Sequence, residues 1–301
     1  MFDTIIVPLD GSEAAERALP PAREIATTNQ ARLVVFHADQ WEDLSHCREE
    51  LRRRFVVLGV DVDEIVTDGS VVVADGLVGL AGRVERPLIC MATHGNGGLA
   101  RLIGTTTQDL LARWTGPVLA VGPHGEQSIP FAASNLLMTV DGSEASEVIA
   151  TDAVEWSETF GAVPWVVTAL AQTPPVGPGP GVGTDTLESS YVHRVAENVQ
   201  TVAQRFGDGE LAAEYEVLHG NDPAEAIVAF ARSLPASVIA MSTHGRTGLA
   251  RIAVGSVALR VVRDAPCPVL IRRPDPSLLD ARILHDNDDD QTTTRPATSS
   301  S

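Results

Sequence analysis

Short, continuously apolar runs alternate with amphipathic segments along this chain. The first apolar run is Ile5–Leu9, and Asp10–Ser12 ends it with residues typical of a turn and a helix N-cap. The next segment, Glu13–Ala26, has the apolar spacing of an amphipathic helix, which Pro20 and Pro21 are expected to bend or interrupt. Apolar strands that alternate with helices are typical of a parallel sheet buried on both faces. The pattern therefore predicts an α/β fold.

Further runs of the same kind continue to the end of the second half of the chain. Two later segments have helical character, Ala224–Ser233 and Val257–Arg263. The additional predicted strands are Arg32–Ala38, Pro87–Met91, Pro117–Val121, Leu136–Val140, Val163–Leu170, Glu214–His219, Ser237–Met241 and Pro268–Arg272.

The chain also repeats itself. The segment Thr4–Ala14 returns as Asn135–Ala145 at an offset of 131 residues, and Met91–Gly95 returns as Met241–Gly245 at an offset of 150. A Pro-Val-Leu motif that follows returns at an offset of 151. Three blocks in the same order indicate two copies of one domain. The growth of the offset indicates an insertion in the second copy, which we place in the Pro- and Gly-rich stretch Pro174–Thr184.

This repeat defines the predicted domain organisation. We expect domains at residues 1–122 and 134–274, joined by a linker at residues 123–133. Residues 275–301 form a polar tail with an acidic run and many Ser and Thr residues, and we expect them to be disordered.

Charge and cysteine content narrow the function classes. The 301 residues include 22 cationic residues, all of them Arg, against 40 acidic residues, which gives a net charge of −18. This charge repels phosphate chains and argues against nucleic-acid binding. No apolar run is long enough to span a membrane, and no signal peptide opens the chain, so a cytoplasmic location is predicted. Three cysteines without CxxC spacing favour neither a disulfide framework nor a zinc site.

The most specific chemistry lies between Ser242 and Ser256. A small residue, Gly245 and the pair Gly255-Ser256 follow one another in the spacing small-x2-Gly-x9-Gly-Ser, after an apolar strand and before a helix. Glycines let the backbone approach a phosphate closely, and a helix start supplies N–H groups and the positive end of its dipole. The segment predicts a phosphate site that needs no Lys. P-loop, GxGxxG and Gly-x-Ser-x-Gly motifs are absent from the sequence.

Together with Val7–Glu13 and Ala265–Ile271, this segment resembles the universal stress protein family, whose nucleotide-binding members carry Gly-x2-Gly-x9-Gly-[Ser/Thr]. The resemblance covers both copies. It implies two tandem doubly wound parallel-sheet domains of the Rossmann-like, adenine nucleotide alpha-hydrolase-like fold. It also implies that the Pro117–Val121 and Pro268–Arg272 strands lie at sheet edges, where they would pair as an internal pseudo-dimer and leave a further homodimer open.

The resemblance further implies a bound adenine nucleotide, ATP with or without Mg²⁺. Asp141 would accept from the adenine or ribose, Ala169 would contact the base through its backbone, and the glycines with Ser256 would hold ribose and phosphates. The first copy is one residue shorter between its two loop glycines. The candidate binding residues are Asp141, Ala169, Ser242, Gly245, Gly255 and Ser256 in the second copy, and Asp10, Ala38, Ala92, Gly95, Gly104 and Thr105 in the first.

Several interpretations stay open at this stage. Asp10 and Asp141 are as typical of a turn or N-cap as of a ligand contact, and the two roles are compatible. His94 and His244 are expected to be structural hydrogen-bonding residues, because no partner nucleophile accompanies them. No catalytic or metal-binding residue is predicted. The sequence is compatible with an ATP-binding stress regulator, a nucleotide-free scaffold protein, and a slow ATP-hydrolysing enzyme.

Overall fold

The computed structural model of the protein describes residues 1–38, 44–69, 72–93, 103–125, 130–171, 184–206, 212–234, 236–244 and 254–275. The strands are β1 Thr4–Pro8, β2 Arg32–Ala38, β3 Glu64–Asp68, β4 Pro87–Ala92, β5 Val118–Val121, β6 Asn135–Thr139, β7 Val163–Ala171, β8 Glu214–Gly220, β9 Ala236–Ser242 and β10 Val269–Arg272. The helices are α1 Glu13–Glu16, α2 Leu19–Asn29, α3 Leu44–Leu58, α4 Val73–Ala81, α5 Thr105–Arg113, α6 Glu144–Glu147, α7 Ala150–Phe160, α8 Thr184–Ala203, α9 Pro223–Ser233 and α10 Ser256–Asp264, with a 3-10 turn at Gln204–Phe206.

All ten strands belong to one sheet in the order β3-β2-β1-β4-β5-β10-β9-β6-β7-β8. The two halves of this order mirror each other, since β3-β2-β1-β4-β5 and β8-β7-β6-β9-β10 have the same doubly wound topology. Neighbouring strands within each half are parallel. The fold class predicted from the apolar pattern is therefore confirmed.

The two halves meet at the only antiparallel pair among these strands. Strand β5 pairs with β10, with Leu119 opposite Leu270. Because the pair is antiparallel, the carboxyl ends of the first half lie at the opposite edge of the sheet from those of the second half. The expected pairing of the two Pro-Val-Leu strands is thus present inside one chain.

The helix predicted at Glu13–Ala26 is in fact two helices. Ser12 caps α1 by accepting the N–H of Ala15 at 3.1 Å, and α1 ends after one turn. Helix α2 then begins at Leu19, with proline in its first turn. Proline has no N–H to donate and fits a helix start better than a helix interior, so the prolines set the break between the helices.

One strand was missed by the apolar pattern. Strand β3 is an edge strand paired only with β2, and its residues are half-buried or exposed. It lacks the continuous apolar run on which strand prediction relied. The insertion predicted near Pro174–Thr184 falls almost wholly outside the described residues, which resume at Thr184 with α8.

Candidate functional site

The two Asp-Gly-Ser turns that follow β1 and β6 have the same geometry. Asp141 Oδ1 accepts the N–H of Ser143 at 3.0 Å and its hydroxyl at 2.6 Å. Asp10 accepts the same two bonds from Ser12, also at 3.0 and 2.6 Å. The glycine between them has φ of +81° in the first turn and +80° in the second, which only glycine adopts without strain. The expected turn-forming role of both aspartates is confirmed.

The second turn is held by two hydrogen bonds of a serine side chain that has no counterpart in the first turn. The Ser146 hydroxyl accepts the N–H of Asp141 at 3.1 Å and donates to the carbonyl oxygen of Ser143 at 2.8 Å. Ala15 holds the matching position in the first copy, at the offset of 131 residues. Ser146 is buried, so these bonds are shielded from water. The sequence contained this signal, because Asp141–Glu147 differs from Asp10–Glu16 only in having Ser in place of Ala at this position.

The helix that follows each glycine-rich loop is held to its preceding strand by a backbone bond. Gly255 donates its N–H to the carbonyl oxygen of Thr243 at 2.8 Å, and Gly104 donates to Thr93 at the same distance. An added Cβ at Gly255 would lie 2.7 Å from the Thr243 oxygen. This close approach requires glycine at the start of α10.

This bond corrects one part of the predicted phosphate site. The sequence predicted that the N–H of Gly255 would be available to a phosphate. In the structure this N–H donates to Thr243 and is therefore not available. Helix α10 makes its first internal bond from Leu259 to the carbonyl oxygen of Gly255, and no side chain caps its start. Among the described residues no acceptor is found for the N–H groups of residues 256–258. The candidate phosphate donors are therefore these three N–H groups, which begin one residue after Gly255.

Strand adjacency brings the remaining predicted residues to one edge of the sheet. Strands β7, β6 and β9 are consecutive neighbours. Ser242 is the last residue of β9, Asp141 lies two residues beyond the end of β6, and Ala169 lies two residues before the end of β7. Ser256 opens α10 with an exposed hydroxyl, whereas Ser242 is buried and accepts the N–H of His244 at 3.3 Å.

The first half repeats this arrangement at the opposite edge. Ala38, Asp10 and Ala92 lie at or just beyond the ends of β2, β1 and β4, and Gly104 with Thr105 opens α5. Gly95 and Gly245, the first glycine of each loop, lie outside the described residues. His94 lies outside them as well.

Two histidines take part in local hydrogen bonds. His244 is buried, and its Nδ1 lies 2.8 Å from the hydroxyl of Thr243, as expected of a structural residue. His37 was missed by sequence reasoning. Its Nδ1 lies 2.8 Å from the carbonyl oxygen of Leu9, which can only accept, so Nδ1 carries the proton. His37 thereby ties the end of β2 to the residue before Asp10.

Charges near α10 hold this helix in place. Asp222 caps α9 by accepting the N–H groups of Ala224 and Glu225, and it also pairs with Arg260 of α10. The hydrogen bond from the Arg260 guanidinium, with smaller help from the capping N–H groups, lowers the pKa of Asp222. Within the described part of the chain, no cluster of three or more His, Cys, Asp or Glu side chains could hold a metal ion.

No helix in the described ranges combines the length and the apolar character that crossing a membrane requires.

Comparison with known proteins adds independent information. The family model described as "Universal stress protein family" matches residues 1–47 and 133–273, which together exceed half of the chain. A universal stress protein of Methanocaldococcus jannaschii is 34% identical over 140 residues, covering 45% of this chain and 79% of the relative. A universal stress protein of Mycolicibacterium smegmatis is 30% identical over 191 residues, or 62% of each chain and thus less than two thirds of the relative.

Solved structures resemble this fold over nearly the whole chain. A functionally unknown protein of Pseudomonas aeruginosa PAO1 has a TM-score of 0.65 at 20% identity, covering 95% of this chain and 98% of that one. A universal stress protein of Archaeoglobus fulgidus DSM 4304 has a TM-score of 0.60 at 15% identity, covering 90% and 98%. At these low identities the structural similarity shows the fold alone, and the family follows from the match to the family model. The chain belongs to the universal stress protein family.

Proposed function

We propose that this protein binds ATP at the carboxyl ends of β6, β7 and β9 and acts as a nucleotide-responsive stress regulator. The observation that carries the proposal is the Gly255–Thr243 bond of 2.8 Å, which fixes the start of α10 beside the end of β9. A helix start fixed at the carboxyl edge of a parallel sheet is the usual position for a bound phosphate in this fold class.

The residues at this edge suit a nucleotide without help from Lys. The N–H groups of residues 256–258 and the exposed hydroxyl of Ser256 would face the phosphates, with Gly245 allowing close approach. Asp141 already accepts two bonds from Ser143, which orients its carboxyl group at the strand end for the ribose or base. Ala169, which is half-buried and lies two residues before the end of β7, would contact the base through its backbone.

We propose that each half of the chain is a separate domain. We also assign to the first half a second nucleotide site, which binds ATP more weakly. Asp10, Ala38, Ala92, Gly104 and Thr105 have the same placement as their counterparts, and Gly104 makes the same bond to a threonine carbonyl. The loop between the two glycines is one residue shorter in this half, and its Asp-Gly-Ser turn lacks the hydrogen bonds that Ser146 provides. The missing residue would rotate the backbone that follows it relative to a bound phosphate, and the first turn is without the two bonds that the Ser146 hydroxyl makes to fix its counterpart before ligand binding.

The decisive experiment combines a nucleotide assay with titration calorimetry. The purified chain is denatured and its supernatant is assayed for adenine nucleotide, and nucleotide-free protein is then titrated with ATP with and without Mg²⁺. We expect bound adenine nucleotide, and loss of the tighter site in Gly245→Glu, which places a side chain and a negative charge beside the phosphates. Gly95→Glu is the matched control and removes only the weaker site.

The other candidate functions predict different results. Absence of copurified nucleotide together with no heat of ATP binding would contradict the proposal and favour a nucleotide-free scaffold protein. Multiple-turnover release of ADP or AMP that is lost in Asp141→Ala would instead favour a slow ATP-hydrolysing enzyme.

A further inference from the structure

A cavity of about 460 Å³ lies where the two halves meet, at the edge where β1 and β4 begin and β10 ends. Its apolar wall includes Phe2, Val84 and Trp114, and the last two are only partly buried. Its charged wall is formed by two ion pairs, in which Arg272 contacts Asp152 and Arg86 contacts Glu155 at 3.3 Å.

The internal repeat identifies the counterpart of this cavity at the opposite edge of the sheet. Glu155 corresponds to Glu24 at the offset of 131 residues, and Gly116 in the cavity wall corresponds to Cys267 at the offset of 151. Both counterparts are contacted by the chain that leaves β5. Phe131 donates its N–H to Glu24 at 2.6 Å, and a Cβ on Gly125 would lie 3.2 Å from the carbonyl oxygen of Cys267.

This connecting chain is firmly packed at its far end. Phe131 is fully buried, and its ring contacts Trp156 and Phe160 with centroid separations of 4.9 and 5.5 Å. At the near end, an added Cβ on Gly122 would overlap the carbonyl oxygen of Val262. Residues 122–125 and residue 131, which are described on either side of residues 126–129, therefore cover one of the two equivalent grooves.

The first residues after β10 correspond to the first residues after β5, and they follow a residue that lines the cavity. Arg273-Pro274 corresponds to Gly122-Pro123 at the offset of 151, and Arg272, one residue earlier, lines the cavity. The chain continues beyond Asp275, the last described residue, with the sequence Leu278-Leu279-Asp280-Ala281-Arg282-Ile283-Leu284. Its aliphatic pair Ile283-Leu284 follows Pro274 by nine and ten residues, close to the eight residues that separate Pro123 from Phe131.

We propose that residues 278–284 of the same chain bind in this cavity. Their aliphatic side chains match the wall of Val84 and Trp114, and the single Asp280 and Arg282 match a rim that carries both signs of charge. Eight residues separate Asp275 from Ile283, which allows a reach of about 26 Å when the chain is extended. Because Arg272, three residues before Asp275, already lines the cavity, a chain of this length can bring Ile283 to the cavity wall. Residues 276–301, for which the sequence predicts disorder, lie outside the described residues.

Hydrogen exchange on the full-length protein tests the proposal. Ile283→Asp/Leu284→Asp would remove the apolar contacts, and Thr292→Asp/Thr293→Asp adds the same charge beyond the acidic run as the matched control. We expect amide exchange at residues 84–86 and 114–116 to become about tenfold faster in the first variant and to stay unchanged in the control. Equal exchange in the wild type and the first variant would overturn the proposal.

A disulfide measurement separates a contact within one chain from a contact between chains. Thr115, which is exposed and lines the cavity, would be changed together with the tail residue as Thr115→Cys/Ile283→Cys, with Thr115→Cys/Thr294→Cys as the control. The three native cysteines are buried and do not compete. With oxidised glutathione added as the oxidant, we expect a rapid intramolecular disulfide in the first variant alone. A disulfide-linked dimer would show that a second copy fills the cavity, and equal rates in both variants would show no specific binding, so either result would overturn the proposal.

Discussion

The backbone N–H of Gly255 donates to the carbonyl oxygen of Thr243 at 2.8 Å, and this bond fixes where α10 begins relative to the end of β9. The same bond joins Gly104 to Thr93 in the other half of the sheet. Each candidate nucleotide site is therefore organised around a contact between a glycine and a threonine that are separated by a loop. The contact leaves the following residues of the helix to supply N–H donors.

Replacing these two glycines should have unequal effects. A Cβ at residue 255 would lie 2.7 Å from the Thr243 oxygen, whereas a Cβ at residue 104 would lie 3.2 Å from the Thr93 oxygen. We expect Gly255→Ala to lower the free energy of unfolding by about 2 kcal/mol, and Gly104→Ala to lower it by less. Urea denaturation of both variants measures the difference, and equal losses would argue against a tighter contact at Gly255.

Loss of the Ser143 hydroxyl should affect both stability and ligand binding. This hydroxyl caps α6 by accepting the N–H of Ser146 at 3.1 Å and donates to Asp141 at 2.6 Å. Ser143→Ala should lower the free energy of unfolding by about 1 kcal/mol, which is typical of an N-cap. It should also weaken ATP binding at the second-half site, because the carboxylate of Asp141 loses a bond that orients it.

Calorimetry and urea denaturation measure the two effects of this change separately. Thr201→Ala is a suitable control, since it removes a side-chain bond on the exposed face of α8, made to the carbonyl oxygen of Glu197 at 2.8 Å. The control should leave ATP binding unchanged. Unchanged affinity in Ser143→Ala would argue against a role for the Asp141 turn in the site.

Two aspartate–arginine pairs should differ in their contribution to stability. Asp152 is buried and pairs with Arg272 through two bonds, whereas both side chains of the Asp75–Arg113 pair are about half exposed. We expect Asp152→Asn to cost about 2 kcal/mol, because it leaves a partly buried guanidinium without its counter-charge. Asp75→Asn should cost less than about 1 kcal/mol. Thermal denaturation of the two isosteric variants measures the stability that each one loses. Equal losses would contradict this prediction.

Alkaline pH should destabilise the folded chain through its buried thiols. Burial raises the pKa of Cys267 from 9.0 to about 12, with a smaller opposing effect from a backbone bond to Ile239, and burial also raises the pKa of Cys90. A pKa that is higher in the folded state means that the unfolded state loses its proton first as the pH rises. The contribution of these thiols to the free energy of unfolding is therefore constant below about pH 9, and that of Cys267 falls between pH 9 and about 12.

A cysteine variant isolates this effect. Above pH 9, the wild type should lose up to about 1.4 kcal/mol more per pH unit than Cys267→Ala, measured by urea denaturation at several pH values. Ser237→Ala, another buried change in the same half of the sheet, should follow the wild-type pH dependence. The absence of Lys leaves few other groups that titrate in this range. Parallel curves for the wild type and Cys267→Ala would contradict the prediction.

Several elements of the fold could be predicted because their signals are local. Strand β9 is buried at every residue and was visible as an apolar run, and α9 was visible as the helical segment Ala224–Ser233. The edge strand β3 was missed because half of its environment is solvent, which removes the continuous apolar pattern. At the candidate site, the sequence correctly predicted the Asp-Gly-Ser turns and the helix start at Ser256.

The amino-acid sequence by itself determined the repeat, the α/β class, the turns and the caps, because each depends on residues a few positions apart or on their periodicity. Only the tertiary structure decided that the Gly255 N–H is used by Thr243, and that one groove between the halves is covered while its counterpart forms a cavity. These features join residues that are distant along the chain, and their contacts depend on how the halves meet at β5 and β10. Local patterns contain no information about such distances, because packing alone brings those atoms together.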